Sequence, residues 1–163
     1  VTRRGLLAGL AAGALAAVVA GGVARAAAVR GPVLEVSLIH ATRADGGGAS
    51  IDPALKDLPQ LTHDQPFVRY NVYKLLDRRV FPLQPSKAVT YALVNGRTLQ
   101  VRLDGVDEDK GEKRYQVDAQ ISDRGGKAFL KSLQVTASAN EPFFVGGQSY
   151  QGGMLFLELV VRP

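Results

Sequence analysis

The side chains that could do chemistry in this sequence are few and far apart. Histidine occurs twice, at His40 and His63, and cysteine is absent. A tetrahedral zinc site needs three or four ligands at fixed spacing, and neither histidine sits in a His-x-x-x-His frame. No metal or other cofactor is therefore expected. Nucleophilic hydrolysis favours a serine on a strained Gly-x-Ser-x-Gly elbow, but Gly147-Gln148-Ser149 is followed by Tyr150 and Gln151. That serine reads as part of a hairpin tip. Asp107-Glu108-Asp109 and Glu112 gather acid at one turn, where calcium could find oxygen ligands. The spacing is not that of an Asp-x-Asp-x-Asp-Gly loop, and Lys110, Lys113 and Arg114 offset the charge, so a solvated turn is expected. Gly46-Gly47-Gly48 lacks the following Lys-Ser/Thr of a phosphate-binding loop. No catalytic set emerges, and the sequence is read as non-enzymatic.

Two aromatic groups stand out. Tyr70 and Tyr73 lie near Lys74, Arg78 and Arg79, while Phe143, Phe144 and Tyr150 flank a Gly-rich stretch. Aromatic rings on a β-surface stack on sugars or anchor peptides. These five residues form the candidate binding surface, the alternative being that they fill the core.

The elements that would position them are strands. Val33 to Ala41 reads as strand, rich in β-branched residues and nearly alternating. Asp52-Pro53 opens a short helix, with Asp as N-cap and Pro at the first helical position. Ile51, Leu55, Leu58 and Leu61 form its apolar stripe, Pro59 limits its length, and it is expected to lie over an end or edge of a sheet. Further strands are expected at residues 67–76, 89–94, 99–103, 115–121, 129–137, 143–145 and 154–161, separated by turn signals such as Asn95-Gly96 and Gly152-Gly153. In the first of these, Val68, Tyr70 and Val72 would share a face. The final run is apolar on both faces apart from Glu158 and is expected to be central or covered on both sides. Seven or eight strands with one short helix predict an all-β antiparallel sandwich, immunoglobulin-like or barrel-like, in a single domain over residues 27–163.

Residues 1–26 have a different character. A positive start containing Arg3 and Arg4 precedes an Ala/Gly/Leu/Val run, and Ala24-Arg25-Ala26 supplies the small residues of a cleavage site. Thr2-Arg3-Arg4-Gly5-Leu6-Leu7 resembles the twin-arginine export motif, although Ala8 replaces the frequent Lys. That resemblance implies export, to the periplasm or beyond, of a domain already folded. The alternative is an uncleaved helix tethering the domain to the inner membrane. Acylation of a lipoprotein type would need a cysteine.

The segment also explains part of the charge. Three of the 20 Lys and Arg lie in it (Arg3, Arg4 and Arg25), leaving 17 against 15 acids, so the formal charge falls from +5 to +2. The remaining basic residues are scattered, which argues against nucleic acid as a partner.

The succession His40-Ala41-Thr42, Ile51-Asp52-Pro53-x-Leu55, Pro66-Phe67-x-x-Tyr70, Lys74-Leu75-Leu76 and Gly146-Gly147-x-x-Tyr150-x-Gly152-Gly153 resembles a group of exported bacterial β-domain proteins. The resemblance implies a fold and carries no activity. The expected function is an exported β-sandwich module that binds a protein or an envelope component through a strand edge or aromatic loop. Two alternatives stand beside it, a periplasmic carbohydrate-binding or hydrolytic enzyme and a membrane-tethered structural domain. The sequence sets no oligomeric state.

Overall fold

A computed structural model describes residues 31–46, 48–125 and 132–163. The segment expected from the sequence to direct export, including Arg3, Arg4, Ala24 and Ala26, lies outside the described residues, as do residues 129–131 of one expected strand. Among the described residues, no helix is long and apolar enough to cross a membrane.

The described residues form an all-β sandwich of nine strands that does not close into a barrel. In chain order the strands are β1 (Val33–Thr42), β2 (Ser50–Ile51), β3 (Val72–Pro82), β4 (Ala88–Ala92), β5 (Thr98–Asp109), β6 (Glu112–Ile121), β7 (Leu133–Ser138), β8 (Pro142–Tyr150) and β9 (Gly153–Arg162). One sheet has the order β2-β3-β1-β9-β8 and the other β4-β5-β6-β7. All strand pairs are antiparallel except β2 with β3.

Period-two alternation sorts the side chains. Leu34, Val36 and Leu38 of β1 and Leu155, Leu157, Leu159 and Val161 of β9 enter the core between the sheets. They meet Leu99, Val101 and Leu103 of β5 and Tyr115, Val117, Ala119 and Ile121 of β6. The intervening residues Ile39, Ala41 and Phe156 face the other way, into a second core. Residues 51–70 cover that outer face through Leu55, Leu58, Leu61 and Phe67. β1 and β9 are therefore central strands, covered on the inner face and, beneath residues 51–70, on the outer face as well, which accounts for the nearly continuous apolar run of β9.

This covering segment differs from the expected helix. It contains a 3-10 turn at Pro53–Leu55, one α-helical turn, α1 (Gln60–His63), and a second 3-10 turn at Phe67–Arg69. The apolar residues of the stripe are buried or half-buried as expected, and Asp52 caps Ala54 N at 2.9 Å. Pro59, however, stands at the N-cap of α1 and splits the segment. It lies on a sheet face, not over an end or edge. The expected strand from Phe67 begins only at Val72, because Phe67 turns down into the second core, where its ring centroid lies 4.8 Å from those of both Phe144 and Phe156. The strand also runs past its expected end at residue 76 to Pro82, so that Arg78 and Arg79 lie within it.

Candidate functional site

The two sheets part along one side. β8 is an edge of one sheet and β7 an edge of the other, and a groove of ≈ 430 Å³ opens where they diverge. Ala119, Ile121, Leu133 and Val145 give it apolar walls, and Arg97, Arg124 and the run Gly146–Ser149 complete the lining. No acid is found in that lining among the described residues.

A bulge in β8 determines what faces the groove. Phe143 and Val145 pair with Leu159 and Leu157, but the register then shifts, so that Gly146 pairs with Phe156 and Gln148 with Leu155. Gly147 is the extra residue, at φ +93°, a conformation that favours glycine. The insertion reverses the parity of the strand and aims Gln148 and Tyr150 at the inner side, where Phe143 and Val145 already point. The Gly147-Gln148-Ser149 stretch is thus a bulge within β8, and the hairpin tip lies further on at Gln151-Gly152, both with positive φ.

Gln148 is buried, and its amide orientation is set by a chain of hydrogen bonds. Arg97 N donates to Asn95 Oδ1 at 3.2 Å, which leaves Asn95 Nδ2 to donate to Gln148 Oε1 at 2.8 Å. Gln148 Nε2 is then a donor without an acceptor, an unfavourable state for a buried amide. Arg97 is half-buried, and its Nη1 donates to the Ser122 carbonyl at 2.9 Å. Arg124 is exposed. Neither arginine forms an ion pair with a described residue. The groove thus presents hydrogen-bond donors and positive charge above an apolar lining.

A second polar cluster occupies the uncovered half of the outer face of the five-stranded sheet, in a cleft of ≈ 280 Å³ beside the covering segment. Arg162 Nε lies 2.6 Å from Glu35 Oε2, and Arg78 Nε lies 3.6 Å from Glu35 Oε1. Arg78 Nε also donates to Ser37 Oγ at 3.0 Å. Glu158 sits opposite Ser37 on β9, only 6% exposed, and its Oε2 has no hydrogen-bond partner. Burial pushes its carboxyl above the ordinary glutamate value, although a hydrogen bond from Ser37 and the charge of Arg78 pull the other way. Glu35 and Glu158 rise side by side from neighbouring strands of one face. They are not carboxylates opposed across a cleft, as glycoside hydrolysis requires.

The five aromatic residues singled out from the sequence do not converge on one surface. Tyr73 is buried, its hydroxyl donates to the Phe67 carbonyl at 2.6 Å, and burial beside Tyr70 pushes its phenol up to about 12. Tyr70 and Phe144 are half-buried against the second core, whereas Phe143 and Tyr150 pack against the core between the sheets. Alternation and burial divide the set, so the rings serve packing first. His40, half-buried at the end of β1, donates from Nε2 to the Tyr150 carbonyl at 3.1 Å and meets the Tyr150 ring edge-on. His63 is exposed at the end of α1, with Nδ1 2.9 Å from the Pro59 carbonyl oxygen. The acids at 107–109 and 112 lie in the β5–β6 hairpin, whose turn is Lys110-Gly111. Asp107 accepts from Gln116 Nε2 at 2.6 Å, and no group of described residues is placed to share a metal ion.

Sequence reasoning passed over Arg97, Arg124 and Gln148. The glycine pair before Gln148 was a signal for a bulge, since a glycine inside a strand pattern marks one, but only the pairing register shows which way the next side chain turns. Comparison with protein-family models, curated proteins and solved structures finds no match to this chain.

Proposed function

We propose that this protein is an exported, non-enzymatic binding module that engages a protein of the cell envelope along the open seam between β7 and β8. The observation that carries this reading is the pairing of two sheet edges with a groove of ≈ 430 Å³ between them. Edge strands offer unpaired backbone groups that an added segment can satisfy, and exposed Gly146 and Gly147 leave the backbone of β8 accessible. The half-buried aromatic residues support packing more than recognition, which shifts the reading from an aromatic loop to a strand edge. Export rests on the twin-arginine-like start and the small residues near position 26.

The test is photo-crosslinking in intact cells, with a photoreactive residue at exposed Ser149 beside the seam or at Val80, 60% exposed on β3 at the far side of the molecule. Discrete envelope adducts are expected from position 149 and not from position 80. Equal labelling from both positions, or none from 149, would overturn the seam as the binding face.

A further inference from the structure

The seam carries information about the chemistry of its occupant. The bulge at Gly147 turns Gln148 into the groove, and the Arg97–Asn95–Gln148 chain fixes the side-chain amide so that its NH₂ faces no acceptor. An isolated apolar ligand would leave that donor unsatisfied. Arg97 and Arg124 add two positive charges with no acidic neighbour in the lining among the described residues. Guanidinium groups match the geometry of a carboxylate. A saccharide would be expected to meet a stacking ring, but none of the described lining residues is aromatic. The free edge of β8 supplies what a peptide backbone needs instead.

We propose that the β7–β8 groove seats an extended acidic peptide segment of another protein, with a carboxylate received by Arg97, Arg124 and the Gln148 amide. This inference rests on the binding-module reading above and specifies the partner that the seam selects. The backbone of the segment lies along β8, its apolar side chains meet Ile121 and Val145, and an acidic side chain reaches the arginines. Because Arg124 is exposed, part of the attraction is screened by salt, whereas the Gln148 contact is not.

The experiment measures fluorescence anisotropy of a labelled octapeptide alternating Thr and Glu, and of its counterpart alternating Thr and Gln, with the full chain. The Glu peptide is expected to bind at least tenfold more tightly. Combining Arg97→Gln with Arg124→Gln should weaken the Glu peptide at least tenfold and leave the Gln peptide unchanged. Should the double variant not fold, Arg124→Gln alone, at an exposed position, should still weaken the Glu peptide severalfold. Equal binding of the two peptides would overturn the acidic partner while leaving the seam reading intact. Glu-peptide binding indifferent to these arginines would place it elsewhere and overturn the site. Failure of both peptides to bind would overturn the site and the seam reading together.

Discussion

Replacing Phe67 by alanine tests whether the segment over residues 51–70 is a structural layer or merely rests on the sheet. Phe67 is 4% exposed and its ring contacts Phe144 and Phe156. A buried phenylalanine removes about 200 Å² from water, which at about 25 cal/mol per Å² corresponds to about 5 kcal/mol. That is an upper bound, because unfolded chains already bury part of this surface. Phe→Ala truncations in packed cores cost about 3–5 kcal/mol once the residual cavity is included, and that is the loss expected here. Urea unfolding followed by far-UV circular dichroism would measure it, with Val80→Ala as an exposed control expected to change stability by less than about 0.5 kcal/mol. An unchanged m-value would show that the surface exposed on unfolding is the same. A Phe67→Ala loss below about 1 kcal/mol, close to the control, would refute the claim that the second core belongs to the cooperative fold.

Two further outcomes follow from the packing of β9. Glu158→Gln imitates the protonated acid; because burial raises the carboxyl of the folded protein above its unfolded value, the native state holds its proton more tightly. Stability from that source is full below the unfolded value, near pH 4.5, and is lost as pH rises through the folded one. The variant should therefore be more stable than the parent at pH 7 and indistinguishable from it at pH 4, and a parallel pair of stability–pH curves would contradict this. Gly153→Ala should lower stability by about 1–3 kcal/mol. Its added Cβ would collide with the Ala41 carbonyl oxygen and lie 2.8 Å from His40 Nε2, and an unchanged thermal midpoint would disprove the tight β1–β9 approach.

Much of the architecture was legible because period two survives in the sequence. Leu155, Leu157 and Leu159 alternate with Met154 and Phe156, and both sets are apolar, so a doubly covered strand was the direct reading. Asn95-Gly96 marked a true turn, since glycine takes the positive φ there. Other features depend on tertiary contacts that local pattern does not encode. The residues from Phe67 to Tyr70 have strand-like composition, yet burial of Phe67 in the second core outweighs that propensity and leaves a 3-10 turn. Ser50–Ile51 is too short to announce itself as a strand. The candidate groove was the least visible feature. Arg97, Arg124 and Gln148 come from three separate turns or strands, and only the order of strands in each sheet leaves β7 and β8 as edges around them. The five aromatic residues are separated for a related reason, since the bulge and the two-faced sheet divide them between two cores.

The position of β9 has a consequence for how the protein comes into being. β9 lies between β1 and β8, so among the described strands β1, made before the others, completes its pairing only when β9, made after them, has emerged. Until then β8 has no partner in the five-stranded sheet, and both cores lack the side chains that β9 contributes. Such long-range pairing slows folding relative to local hairpins, and it makes the event nearly all-or-none. A nascent chain interrupted before Met154 would hold hairpins but no sandwich, and would present to the quality-control machinery an unfinished molecule with its apolar strands uncovered.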